Sequence, residues 1–191
     1  MTIRNWQKLL MVLAVALSSH LAFAVPAQVL IIRHGEKIND INPHLSARGK
    51  ERAKKLVDLF LKNPKFNRFG PPVAIYAAAP KTDDSSTRPQ DTVLPLAKAL
   101  KLNVNLEYNK KQYDDLSDAI YNNPKYNNKT VVICWVRQTI PDLASAFYAT
   151  EVPTEWSGDS FDRVWKIQFK DGENAGRVID LPQGLFPSDS E

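Results

Sequence analysis

Short apolar runs alternate along the chain with longer segments of helical period. Gln28-Val29-Leu30-Ile31-Ile32 is continuous and rich in β-branched residues, the pattern of a strand covered on both faces of a parallel sheet. From Leu45 to Lys62, Ala53, Leu56, Val57 and Phe60 fall on one helical face behind Ser46, an N-capping residue type. Asn63 to Pro72, with its prolines and Gly70, ends that helix. Val73 to Ala77 predicts a second strand. The polar stretch Pro80 to Ser86 then leads into a helix with Pro89 near its first turn and Val93, Leu96, Ala97 and Leu100 as its stripe. A weaker strand, Asn103 to Leu106, precedes a short helix at Asp114 to Tyr121 and a surface loop through the near-duplicated Tyr121 to Lys129. Thr130 to Trp135 is the strongest strand pattern, followed by a helix with Pro141 early and Ile140, Leu143, Ala144 and Phe147 on one face. Arg163 to Phe169 and Arg177 to Ile179 read as closing strands about a turn at Asp171-Gly172. Strands alternating with helices predict an α/β domain with a mostly parallel sheet, whose ligands lie beyond the carboxyl ends of the strands.

The ends of the chain read differently. Arg4 and Lys8 precede the apolar run Leu9 to Leu17, and Ala22-Phe23-Ala24 offers small residues for cleavage, the pattern of an export signal. The expected organisation is therefore a signal peptide at 1–24 cleaved before Val25, one domain at 25–181, and a polar C-terminal tail at 182–191 that frays. The apolar run is too short for a permanent membrane span, and the mature protein is expected in the periplasm or secreted.

Composition narrows the partners. The chain of 191 residues carries a net charge of +4, and removing Arg4 and Lys8 with the signal leaves +2, too little to argue for nucleic acid. Basic and acidic residues interleave in Arg48-Gly49-Lys50-Glu51-Arg52, the pattern of a solvated helix face. A single cysteine, Cys134, cannot close an internal disulfide, and its apolar neighbours predict a buried strand residue.

Candidate chemistry follows the strands. Arg33-His34-Gly35-Glu36-Lys37 comes directly after the first strand: arginine offers a fork of donors for phosphate oxygens, histidine a nucleophilic nitrogen, and Gly35 room for a ligand against the backbone. The triplet alone suits equally an arginine and a histidine that merely end a strand. Arg88 follows the second strand and Arg137 follows Trp135, each just before a helix, so three strand exits would converge on one anion pocket. Asp83 and Asp84 before Arg88, and Glu107 after the third strand, are candidate general acids, each also readable as a solvated surface carboxylate. Glu36 is expected to orient Arg33 or Lys37. Trp135, Trp156, Phe161 and Trp165 suit core packing or a substrate mouth.

These blocks together resemble the histidine phosphatase superfamily, also called phosphoglycerate-mutase-like. The matching residues are Arg33-His34-Gly35-Glu36-Lys37, the helix Leu45-Ser46-Ala47-Arg48-Gly49-Lys50-Glu51-Arg52-Ala53, the block Ser86-Thr87-Arg88-Pro89-Gln90-Asp91-Thr92, and Val131 to Trp135 followed by Ile140-Pro141-Asp142-Leu143-Ala144. The resemblance runs from Gln28 to about Trp165. It implies a three-layer α/β/α sandwich with a mostly parallel central sheet, and a mechanism in which His34 attacks phosphorus to form a phosphohistidine that water hydrolyses. Arg33 and Arg88 would clamp the phosphoryl oxygens, Arg137 and Gly35 would contact substrate, and neither metal nor other cofactor is implied.

One departure stands out. The superfamily places a second histidine after the strand that here ends at Trp135, whereas this sequence has Val136-Arg137; the remaining His44 lies at the start of the first helix. Arginine can bind phosphate but cannot transfer a proton, and tightening ground and transition states equally does not raise turnover. Two readings follow: an exported phosphomonoesterase acting on a phosphorylated small molecule or envelope glycolipid, or a catalytically impaired phosphate-binding or interaction protein of the same fold.

Overall fold

The computed structural model describes residues 25–82, 85–169 and 176–190. The signal segment, the pair Asp83 and Asp84, and the turn at Asp171-Gly172 lie outside the described residues.

Six strands form one sheet: β1 (Gln28–Arg33), β2 (Ala74–Ala77), β3 (Val104–Asn105), β4 (Thr130–Trp135), β5 (Arg163–Gln168) and β6 (Val178–Pro182), in the order β3-β2-β4-β1-β5-β6. The first four run parallel, while β5 lies antiparallel to β1 and β6 to β5. The central strands β1 and β4 are buried along their whole length, the condition their unbroken apolar runs require.

Alternate side chains of those strands build two cores. Val29, Ile31, Val131, Ile133 and Trp135 pack with α4 (Tyr113–Tyr121) and α5 (Ile140–Ala146), through Leu116, Leu143 and their neighbours. Leu30, Ile32, Val132 and Cys134 pack with α1 (Ala47–Lys62) and α3 (Arg88–Leu100), through Leu56, Phe60, Val93 and Leu96. The result is the three-layer α/β/α sandwich. A one-turn helix, α2 (Pro64–Asn67), follows α1 within the segment read as a helix stop.

Local chemistry sets the helix starts as anticipated. Ser46 caps α1, its hydroxyl accepting the Gly49 N–H at 3.1 Å, and Pro89 occupies the first turn of α3, where no N–H is needed. Lys101 ends α3 in the left-handed region at φ 56°. The near-duplicated loop holds a 3₁₀ turn, Pro124–Tyr126, whose Tyr126 hydroxyl pairs with that of Tyr76 at 2.8 Å. Cys134 is buried in β4, and burial pushes its thiol pKa up.

Two expectations are corrected. Arg52 does not sit on a solvated face: it is 2% exposed and bound to three partners, because α1 is covered there by the end of the chain. The tail from Pro182 does not fray either. Pro182 closes β6, Gln183 is buried, and the Asp189 carboxylate accepts the N–H groups of Leu185 and Phe186 at 2.9 and 3.2 Å, folding residues 185–189 onto the domain.

Candidate active site

The parallel register decides which residues meet. Arg33 stands opposite Trp135 and Ala77 opposite Cys134, and the His34 and Ala78 N–H groups each continue the ladder by one bond, to Trp135 O at 3.2 Å and Cys134 O at 3.1 Å. The segments leaving β1, β2 and β4 therefore emerge side by side at the carboxyl edge of the sheet. There they enclose a cavity of about 320 Å³ whose lining includes Arg33, His34, Arg88 and Arg137. That volume is at the small end of ligand sites, about 300–1,000 Å³.

Arg33 is held from one side only. Its Nη1 donates to the carbonyls of Gly158 at 2.7 Å and Ser160 at 2.9 Å, and its guanidinium lies 3.7 Å from the centroid of the Phe161 ring. Nε is buried without a hydrogen-bond partner among the described residues. Burial, with repulsion from Arg137 and Arg88, lowers its pKa to about 10.

His34 is 8% exposed, and its Nδ1 lies 2.8 Å from Gly35 O. A carbonyl only accepts, so Nδ1 carries the proton and Nε2 the lone pair. Burial first, and then Arg33, Arg88 and Lys37, lower the ring's pKa to about 4, against the upward pull of the Gly35 carbonyl. The ring is neutral at pH 7.

Thr92 ties the first two segments together. Fully buried in α3, it accepts the Gly35 N–H at 2.9 Å and donates to Arg88 O at 2.7 Å. Arg88, in the first turn of α3, anchors its Nε on Ser86 Oγ at 2.7 Å, and burial lowers its pKa against the opposing pull of Asp40. Arg137 opens a 3₁₀ turn, Arg137–Thr139, ahead of α5. A Cβ added at Gly158 would lie 3.7 Å from its Nη1, so one segment borders Arg137 and supports Arg33.

Several expected residues stand elsewhere. Gly35 gives its bare Cα to helix α1 and not to the cavity: a Cβ there would come within 3.1 Å of Gly49 O. Glu36 turns away from Arg33 and Lys37 and binds Arg52 and Arg48, because α1 presents those arginines beneath the loop. Glu107 is exposed beyond β3 and does not line the cavity. Asp83 and Asp84 lie outside the described residues. His44 is exposed beside Thr87 and Asp91 and does not line the cavity either. Trp135, Trp156 and Trp165 are core residues, while Phe161 stacks on Arg33.

The sequence reading did not assign four charged lining residues to the site. Lys37, Lys81 and Lys110 add positive charge, and Asp40, paired with Lys37, is the one carboxylate among the described lining residues. Their only signal was position in segments that follow strands β1, β2 and β3.

Comparison with known proteins agrees with this architecture. The protein histidine phosphatase SixA in complex with tungstate matches over 82% of this chain and 97% of its own, with a TM-score of 0.50 at 13% identity. Mycobacterial glucosyl-3-phosphoglycerate phosphatase matches over 82% and 97%, with a TM-score of 0.51 at 14% identity. Its complex with VO3 covers 82% and 98%, with a TM-score of 0.52 at 11% identity. The fold is that of the histidine phosphatases.

No protein-family model matches the sequence, and no curated protein matches it. In this histidine phosphatase fold the arginines and His34 stand beyond the carboxyl ends of the parallel strands, where an open α/β sheet binds its ligand. Among the described residues no helix is long and apolar enough to cross a membrane.

Proposed function

We propose that the chain is an exported phosphomonoesterase of the histidine phosphatase superfamily, with His34 as nucleophile. The observation that carries this reading is a buried, neutral histidine, its Nδ1 committed to Gly35 O, in the same cavity as three arginines. Two structures of the same fold were obtained in complex with tungstate and VO3, oxyanions of phosphoryl size, which supports a phosphoryl ligand for this chain.

In the first step the Nε2 lone pair forms an N–P bond as the ester P–O bond breaks, and the leaving oxygen takes up a proton from solvent, which regains one when water attacks in the second step. Water then forms a new P–O bond as N–P breaks, releasing phosphate and neutral imidazole. Arg33 and Arg88 stabilise the charge spread over the equatorial oxygens, fixed beforehand by their partners Gly158, Ser160 and Ser86, while Arg137 holds the bound phosphate. The substrate is a phosphorylated small molecule or an envelope glycolipid headgroup. The excess of lysine and arginine around the cavity favours one bearing more negative charge than a single phosphate ester. Export rests on the pattern at residues 1–24.

Arg137 favours a second reading, in which the pocket binds phosphate without turnover. Hydrolysis of p-nitrophenyl phosphate by the purified protein, with chelator present, decides between the two. Turnover lost in His34→Ala, with an acid-labile phosphoryl group trapped on the wild-type protein, supports the enzyme. No turnover with phosphate-dependent thermal stabilisation supports the binding protein.

A further inference from the structure

Two consecutive residues near the C-terminus, Asp189 and Ser190, end two separate hydrogen-bond relays that lead back to two consecutive residues of the site, His34 and Arg33. The first relay runs through α1. The Asp189 carboxylate accepts from Arg52 Nη2 at 2.8 Å and from Nη1 at 3.0 Å. Arg52 Nη2 also donates to Glu36 at 2.7 Å, with Nε at 3.1 Å from both Glu36 oxygens. Glu36 is two residues from His34, and its backbone carbonyl accepts the Ser46 N–H at 2.9 Å. The loop carrying the nucleophile is thus pinned by side chain and main chain.

The second relay runs through the segment under Arg33. The Ser190 N–H donates to Asp162, whose other oxygen accepts from Ser160 Oγ at 2.9 Å. Ser160 O in turn accepts from Arg33 Nη1 at 2.9 Å. Gln183 strengthens both: its Oε1 accepts from Arg52 at 2.9 Å and its Nε2 donates to Phe161 O at 3.2 Å, behind the ring that stacks on Arg33.

The cost of this arrangement argues that it serves more than stability. Arg52 and Asp189 have side chains 2% exposed, and burying an ion pair often gains nothing over apolar packing of the same volume. What a bidentate ion pair adds is geometry: the planar guanidinium has one orientation in which it serves Glu36, Gln183 and Asp189 together. Phe186 lies over it, 5.0 Å from the Arg52 guanidinium and 4.3 Å from that of Arg48.

We infer that the C-terminal segment 183–190 is a clasp that sets the relative placement of His34 and Arg33, with Asp189 as its central positioning residue. This inference rests on the phosphatase reading for its effect on turnover, and on the pocket alone for its effect on anion affinity. Without the clasp, the His34 loop keeps its backbone attachment to β1 and the segment under Arg33 its attachment to β5, but the two lose their shared external reference. Misplacement of reacting groups by about 1 Å can cost roughly a hundredfold in rate.

The test compares wild type with Asp189→Asn, with a chain ending at Ser188, and with Asp118→Asn as a control, an exposed carboxylate on α4 in the opposite helical layer. Orthovanadate affinity, and kcat and KM for p-nitrophenyl phosphate, are measured well below each Tm, together with the His34 ring titration. The expected result is at least a tenfold weaker vanadate affinity and lower kcat in both clasp variants, a shifted His34 titration, and wild-type behaviour of Asp118→Asn. Clasp variants that match wild type in vanadate affinity and His34 titration overturn the inference, even if their Tm falls. If wild type hydrolyses nothing, the phosphatase reading fails, while vanadate affinity still decides on the clasp. If a clasp variant does not fold, Ser190→Pro, which removes the N–H bound to Asp162 together with the hydroxyl that accepts from Arg163, supplies the comparison through Arg33.

Discussion

His34 Nδ1 lies 2.8 Å from the carbonyl oxygen of Gly35, its own neighbour in the chain. That contact spends the proton of the neutral ring on the backbone and leaves Nε2 as the basic nitrogen. In ¹⁵N NMR, His34 is expected as the Nδ1–H tautomer at pH 7, with a midpoint near pH 4. A midpoint near the ordinary histidine value of about 6.5 would contradict the placement of the ring.

The same lowered value links to stability. Between pH 6.5 and 4 the unfolded chain protonates this histidine and the native protein does not, so the native state loses stability as pH falls. Integrated over that window the loss is on the order of 3 kcal/mol. Urea unfolding from pH 7 to 4 should show a shallower acid limb in His34→Gln than in wild type. Neutrality of His34 down to about pH 4 also predicts kcat/KM that persists at pH 5, once the ester's own ionisation near pH 6 is allowed for.

Helix α1 touches the nucleophile loop directly at Gly49. A Cβ there would overlap Glu36 O and lie 2.9 Å from Glu36 N, both backbone atoms that cannot swing aside. Gly49→Ala is expected to destabilise the fold by about 1–3 kcal/mol. It should weaken vanadate binding as well, whereas Gly70→Ala, between α2 and β2, should alter stability through its positive φ alone.

Thr92 bonds Gly35 N and Arg88 O from within a fully buried position. Thr92→Val keeps the shape and removes the partner of the Gly35 N–H. A loss of roughly 1–3 kcal/mol in unfolding free energy is expected, with lower phosphate affinity at temperatures where the variant is folded.

Arg137 places a permanent cation where the resemblance leads one to expect a histidine. Arg137→His should weaken orthophosphate binding and raise kcat on p-nitrophenyl phosphate, because the cation lost stabilises the bound ester more than the transition state and the histidine gained can transfer a proton. Lower kcat together with lower affinity would mean that Arg137 acts in the transition state.

The order of strands and helices, the Ser46 cap, the Pro89 start of α3 and the buried runs of β1 and β4 were all legible in the sequence, because each depends on contacts within a few residues. So was the convergence of Arg33, His34, Arg88 and Arg137, since a parallel α/β sheet brings successive strand exits to one edge. Other relationships depend on how distant segments pack. Arg52 looked like part of a solvated stripe, and only the arrival of Asp189 and Gln183, more than 130 residues away, made it a buried ion pair. Gly35 looked like room for a ligand and proved to be room for Gly49. Asp40 and the lysines at the rim have no local pattern to mark them, and the carboxylate pairing of Glu36 was settled by which face of α1 lay beneath it. Periodicity records which side chains must leave water, so the sequence by itself determined the layers and the edge that carries the site. Which partner a charged side chain finds is settled only when the chain has closed, and that was left to the tertiary structure.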